Sequence, residues 1–460
     1  MFNEVKWDKE LRKVMVKRGI QEYKLNAGLK YDEQLIKRLD KNLTDSSKKV
    51  LKNKVNRNLF LNCLDLSLSD KLGRLNIEFY KNRNMIIKNK YCNWSSWRQF
   101  ASNSRSPKLR KEVFDDFLKK SVKLKSNVKK RTEIVAKEYE KYNLNVVDSY
   151  CEQNFLTKIQ LKNVLKELNV KKQFNREIEL FMQEKFKKGF EYYDDLYYVR
   201  NVLFDDFNIK NDPVKECDQV FKKMGFDLKK IKIDDKNRKS KTATACCFGI
   251  DPGKDVRVMY KRENGINDFS SVFHELGHAI HFYVMDNPLW WKRSFVPNSV
   301  AEVFSILTEN IFFDKNFLSK YNLDVNLLDK RRKLNEMYFL AFYIPNSLVK
   351  IEYWEGKIKF DEISSRYSEL IKEYMGVDLN GNYWLLHHIL PEEIIYCPSY
   401  IIASVRVFEL INILKKKHGN EWWNDKESGY YLRELMRCGV DIDLGFSKLD
   451  TSYFRSVIDN

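Results

Sequence analysis

Proline is nearly missing from the first half of this chain: only Pro107 and Pro213 precede residue 251, and glycine is sparse there. Proline inside a helix removes a hydrogen bond and clashes with the preceding turn, so a long stretch without breakers leaves helices free to run. Apolar residues recur at three- and four-residue spacing through 108–142 and 174–204, the period of a helix that buries one face. The first half is therefore expected to be mainly helical. With 460 residues the chain exceeds one ordinary domain, and no repeat of fixed period is visible.

The pattern changes after Asp234-Asp235-Lys236-Asn237-Arg238-Lys239-Ser240-Lys241, which has no apolar residue to bury and reads as an exposed connection. Residues 242–250 and 255–262 are rich in small, β-branched and aromatic types, and Asp251-Pro252-Gly253-Lys254 between them has turn chemistry. That predicts a hairpin. A helical pattern resumes over 269–284 and stops at Asp286-Asn287-Pro288, and a second helix is expected near Asn298-Ser299, either of which could cap it. Further helices are expected over 331–355, 360–375, 398–417 and 420–438, with Pro345 kinking or breaking the first. The expected fold is mainly α. A helical lobe (1–190) and a catalytic lobe (191–460) would flank a substrate cleft, with a small antiparallel β-sheet near the 269–284 helix.

Composition excludes some classes of function. The formal net charge of +19 raises nucleic acid as a partner, but lysines share helical segments with glutamates, as in 175–188, which reads as solvated faces and makes nucleic acid an unfavoured partner. Eight scattered cysteines show no paired C-x-x-C spacing, so reduced and mostly buried thiols are expected. Neither a signal-peptide pattern at Met1-Phe2-Asn3-Glu4-Val5-Lys6 nor a membrane-length apolar run is visible, and the expected location is the cytoplasm. Oligomeric state leaves no mark in the sequence.

The segment that carries chemistry is His274-Glu275-Leu276-Gly277-His278. Residues four apart on a helix share a face about 6 Å apart along the axis, so both imidazoles can reach one metal ion. Glu275 then projects beside the ion, where its carboxylate can act as general base toward water. A random chain of this composition yields about 0.005 such matches, which makes two surface histidines around a coincidental glutamate the weaker reading. Five of the six histidines also fall in two short segments, 274–281 and 387–388.

A catalytic zinc site takes three protein ligands and keeps one position open. His281 lies on the same face as His274 but a rise of about 10.5 Å away, too far to share the ion, and is assigned to packing. Glu302, 24 residues after His278, is the best third ligand. Glu309, two turns further on the same face, either hydrogen-bonds the far nitrogen of a ligating histidine or is a solvated glutamate. The implied cofactor is one Zn2+ ion per chain.

With Ala301-Glu302-Val303-Phe304-Ser305 as the third-ligand run, the chain resembles the thimet oligopeptidase and oligoendopeptidase F family of zinc peptidases, which are gluzincins. Thr244-Ala245-Cys246-Cys247-Phe248 followed by Asp255-Val256-Arg257-Val258 is similar to the strand segment leading into that family's zinc helix. The resemblance implies that Ala245 and Cys246 pair with the substrate backbone. Trp384-Leu385-Leu386-His387-His388 and Tyr396-Cys397-Pro398-Ser399-Tyr400 resemble the family's histidine and tyrosine segment. It implies a substrate-binding role for His388, or for His387 one place earlier, and an oxyanion-stabilising role for Tyr400, with Tyr396 ranked below it because Cys397 stands where relatives often carry another tyrosine. The expected substrates are short unstructured peptides cut at internal bonds.

Two other functions compete. A gluzincin-type metallocarboxypeptidase would need a clamp for the substrate C-terminus, for which Arg238, Arg257 and Lys241 are available. A basic protein retaining a zinc fold without catalysis would bind nucleic acid in a salt-sensitive way.

Overall fold

Helix follows helix because the chain supplies both the apolar stripe and the caps. The first helix, α1 (Glu4–Asn26), starts where the Asn3 side chain accepts from the Lys6 backbone N–H at 2.9 Å. The computed structural model describes residues 2–87, 94–242, 244–262, 265–385, 395–444 and 449–459. Most of them are helical, as the sparse prolines imply, and no helix among them is long and apolar enough to cross a membrane.

The chain forms two compact units. One consists of 1–74, 207–323 and 403–450, and the other of 75–206, 324–402 and 451–460. Both units cross the sequence-based boundary at 190, because each is assembled from segments far apart in the chain.

The first unit contains a three-stranded sheet of β1 (Lys232–Asp234), β2 (Cys246–Asp251) and β3 (Asp255–Met259), in the order β1-β3-β2. β2 and β3 form the expected antiparallel hairpin, and Gly253 sits at φ +85° in its turn, where an added Cβ would lie 2.6 Å from the Met285 carbonyl oxygen. The sheet is mixed, however, because β1 runs parallel to β3. A polar three-residue strand gave no period to read.

The 234–241 stretch is also less exposed than its composition implies. Lys241 is completely buried, and its ammonium donates to the carbonyls of Asp234 (2.6 Å), Lys236 (3.1 Å) and Tyr260 (2.8 Å). A lysine can be buried when backbone oxygens satisfy its three donors. No pattern in the sequence announces that.

Two helices sandwich the hairpin. On one face Tyr23 and Ala27, at the end of α1, pack with Ile250 and Met259, joined by Val16, Ile20, Cys246 and Phe248. On the other lies α2 (Ile266–Val284), which comes close enough that a Cβ on Gly249 would sit 3.1 Å from the Phe282 ring. α1 is tied down at its start as well: the buried Asp8 carboxylate accepts from the backbone N–H groups of Trp290 and Trp291 at 2.8 and 2.7 Å. Arg12 pairs with Asp251, which also accepts from the Trp290 indole at 2.9 Å.

α3 (Asn298–Phe312) begins where expected, but neither proposed cap is used. Pro297 occupies the N-cap position without a side-chain bond, and Ser299 Oγ instead accepts from the buried Arg406 at 2.8 Å.

In the second unit, α4 (Val325–Trp354) runs through Pro345 unbroken. The turn around that proline is buried, and Asn346 and Ser347 side chains donate to the carbonyls four residues back at 2.7 Å each. The 174–204 stretch is not one helix. Lys171–Phe186 ends at Lys187 in the left-handed region (φ 55°), and short helical turns follow over 192–202. Asp194 and Asp195 are drawn inward there by Arg110 and by the hydroxyls of Tyr338 and Tyr383.

Candidate metal centre

α2 and α3 carry the candidate ligands, and Gly277 sets how closely those helices approach. A Cβ at that position would lie 2.5 Å from the Phe304 carbonyl oxygen, 2.7 Å from Thr308 Oγ1 and 2.8 Å from Ser305 Cα. Only a residue without a side chain fits between two backbones this near. Gly277 therefore lets the helix bearing two imidazoles lie against the helix bearing a carboxylate.

His274, His278 and Glu302 offer ligand atoms that all lie within 4.8 Å of one another. Glu302 Oε2 is 3.3 Å from His274 Nε2 and 3.4 Å from His278 Nε2. Ligands at metal bond lengths of about 2.0 to 2.1 Å form a tetrahedron whose edge is about 3.3 to 3.4 Å. The separations are long for an N–H···O hydrogen bond and right for two ligands sharing an ion. The residues thus fit a divalent cation of zinc type.

The electrostatics point the same way. Burial disfavours the charged form of His274, yet bonds to Glu302 and Glu309 outweigh it and hold its pKa well above the usual value. Glu302 is buried too, and the histidines keep it ionised far below the ordinary carboxylate range. The pocket is arranged for positive charge between these side chains.

Glu309 Oε2 stands 3.1 Å from His274 Nδ1, and its other oxygen accepts from Ser270 Oγ. Ser270 was not anticipated, although it lies one turn before His274 on the same face of α2, so the four-residue spacing contained the signal. Glu302 is held in turn by Ser305 Oγ at 3.2 Å. His278 stacks on Phe282 with ring centroids 6.0 Å apart. His281 is fully buried against Phe304 at 4.4 Å, and burial lowers its pKa to about 3, which leaves it neutral and in a packing position.

Glu275 sits beside β2. Burial raises its pKa, the paired histidines pull it down, Glu302 raises it, and the Cys247 backbone N–H lowers it. A carboxylate raised toward neutrality is better suited to accept and return a proton than one held strongly ionised. Cys246 and the half-buried Ala245 lie on and just before β2, on its approach to Glu275.

Tyr396 and Tyr400 belong to the second unit, where the Tyr400 hydroxyl donates to that of Tyr396 at 3.3 Å and the Tyr400 ring stands edge-on to Tyr343. His387 and His388 fall outside the described residues. The three cations considered for a C-terminal clamp are all engaged within the fold: Arg238 with Asp234 and the Ala27 carbonyl, Arg257 with Asp255, and Lys241 in its cage of carbonyls. The cysteines among the described residues are free thiols.

Residues 207–382, which include α2 and α3, match the model of Peptidase family M3. The chain is similar to an "Oligoendopeptidase F homolog" of Borreliella burgdorferi (strain ATCC 35210 / DSM 4680 / CIP 102532 / B31), 22% identical over 391 residues. That match covers 76% of this chain and 64% of the relative, so the chain spans less than two thirds of the relative's length. Among solved structures, Trypanosoma cruzi Metallocarboxypeptidase 1 shares the fold with a TM-score of 0.61 and 13% identity, over 99% of both chains.

Proposed function

We propose that the chain, whose residues 207–382 match the model of Peptidase family M3, is a zinc-dependent oligopeptidase that hydrolyses internal bonds of short, unstructured peptides in the cytoplasm. His274, His278 and Glu302 would hold one zinc ion per chain. When bound there, the ion supplies Lewis-acid activation of water and of the scissile carbonyl. The observation that carries this reading is the pair of 3.3 and 3.4 Å separations joining one carboxylate oxygen to two imidazoles, with Glu275 alongside.

In the proposed mechanism the Glu275 carboxylate takes the proton from the attacking water and delivers it to the leaving nitrogen. Ala245, on the free side of the β2 edge near that carboxylate, would hold the peptide backbone, whereas Cys246, expected from the sequence to share that role, turns its own peptide groups toward its register partner Met259 on β3. Glu309, itself oriented by Ser270, would fix the ring of His274. Tyr400 is assigned the developing oxyanion, and His388 or His387 the substrate, by the family resemblance, with Tyr396 in a supporting place. Because Arg238, Arg257 and Lys241 are already engaged, their pairing supports internal cleavage over C-terminal trimming.

The test is digestion of a mixed peptide library, with products identified by mass, with and without a chelator. Glu275→Gln is expected to retain metal and lose roughly 10²- to 10⁴-fold in turnover. Chelator-insensitive cleavage, or wild-type turnover by that variant, would refute the proposal.

A further inference from the structure

A groove of about 410 Å3 runs between α1 and β2, lined on the helix side by Met15, Arg18, Glu22 and Asn26 and on the strand side by residues 246–250. Among the described residues, β2 is the outer strand of its sheet, paired with β3 on one side only. The Tyr260 N–H donates to the Asp234 carbonyl on the β1 side, so by the two-residue period Val258 and Val256 also face β1, and their β2 partners Cys247 and Gly249 turn their peptide groups away from β3. An extended chain laid along this edge would find peptide donors and acceptors at alternate residues, beginning beside the candidate general base.

The groove wall is built into the fold. Asp8 and Arg12 fasten one end of α1 to Trp290, Trp291 and Asp251, and at the other end the Asn26 carbonyl accepts from the Thr242 N–H at 2.8 Å. Cys246, Phe248 and Ile250 pack toward Tyr23 and Ala27 of α1 and its extension. In an added strand, residues opposite these three would turn their side chains toward the same helix.

What α1 presents there is a surplus carboxylate. Arg18 pairs with the buried Asp40 at 2.7 Å and with Glu22 at 2.8 Å, so one positive charge faces two negative ones. Asp40 is enclosed, whereas the Glu22 side chain is 50% exposed and lines the same groove as Cys246.

We propose that α1 reads the bound peptide at alternate positions along β2, with Glu22 selecting a lysine or arginine side chain. This selectivity rests on the reading of the neighbouring centre as a peptide-cleaving site.

The test uses full-length Glu275→Gln protein and matched fluorescent ten-residue peptides that carry Lys, Ala or Glu at each position in turn, with affinity read by anisotropy. An exposed ion pair contributes up to about fivefold, so Lys is expected to bind a few-fold tighter than Ala at one position or at positions two apart. Glu22→Gln should erase that preference, Glu22→Lys should invert it to favour Glu, and high salt should flatten both. Glu22 is half exposed, and equal melting temperatures would show that the variants fold. A Lys-over-Glu ratio unchanged in either variant would overturn the assignment. Should affinity invert while metal-loaded wild type cleaves none of the peptides, the groove stands and the hydrolytic function falls. Cleavage without any shift in preference would do the reverse.

Discussion

Replacing Gly277 with alanine sets two effects of opposite sign against each other. Inside a helix, alanine is favoured over glycine by about 1 kcal/mol, so propensity alone predicts a more stable protein. The structure predicts the opposite. The new Cβ would start 2.5 Å from the Phe304 carbonyl oxygen, and reaching an ordinary contact of 3.4 Å requires α2 and α3 to separate by about 0.9 Å there. The obstructing atom is backbone, so no rotamer change relieves it, and overpacking of this kind costs roughly 1 to 3 kcal/mol. Subtracting the propensity gain leaves a net destabilisation of about 0 to 2 kcal/mol. Metal affinity should suffer more, because Glu302 lies two residues before Phe304 on the helix that must move. Separations of 3.3 and 3.4 Å would open toward about 4 Å, beyond the ±0.2 Å latitude of metal bonds. We expect at least the 10- to 100-fold loss of zinc affinity that disturbing an outer partner causes. Competition with a chromogenic chelator measures it, beside thermal melts of metal-free protein. A Gly277→Ala protein that melts higher and binds zinc as the wild type does would refute the packing argument.

Two further substitutions test the supports of the site. Glu309→Gln should lower zinc affinity by roughly 10- to 100-fold while leaving the metal-free melting temperature nearly unchanged, since the side chain orients His274 and is partly exposed; equal chelator competition curves would show that it orients nothing. Asp8→Ala strips the partner from two buried backbone N–H groups and should destabilise the protein by about 2 to 5 kcal/mol in urea melts, with Asp8→Asn recovering part of that. A change below about 0.5 kcal/mol would mean that α1 is not held through this carboxylate.

The grouping of the candidate metal ligands was readable from the sequence because its determinants are local. His274 and His278 need only a helix to share a face, and the helix follows from its own period. Glu302 could be named because a third ligand was required and the run Ala301-Glu302-Val303-Phe304-Ser305 resembles the third-ligand helix of the zinc-peptidase family. Ser270, which donates to Glu309, follows the same four-residue spacing but belongs to no ligand motif. The hairpin was announced by its turn residues, Pro252 and Gly253.

Other features have no local signature. The polar stretch before the hairpin reads as solvated, yet it buries Lys241, because only the fold brings three carbonyls to one ammonium. Pro345 breaks an isolated helix, and only its buried surroundings keep α4 continuous. α1 looks like any amphipathic helix, and its clamps at Asp8, Arg12 and Asn26 join residues more than 200 positions apart.

The sequence by itself determined which atoms could bind a cation and which carboxylate could move a proton, since helical period and ligand chemistry act over a few residues. Tertiary structure alone decided how near Glu302 comes to the imidazoles, how Glu275 meets the strand edge, and which helix walls the groove beside it. Those depend on contacts between distant segments, where one glycine hydrogen at residue 277 in place of a methyl sets the distance between two helices.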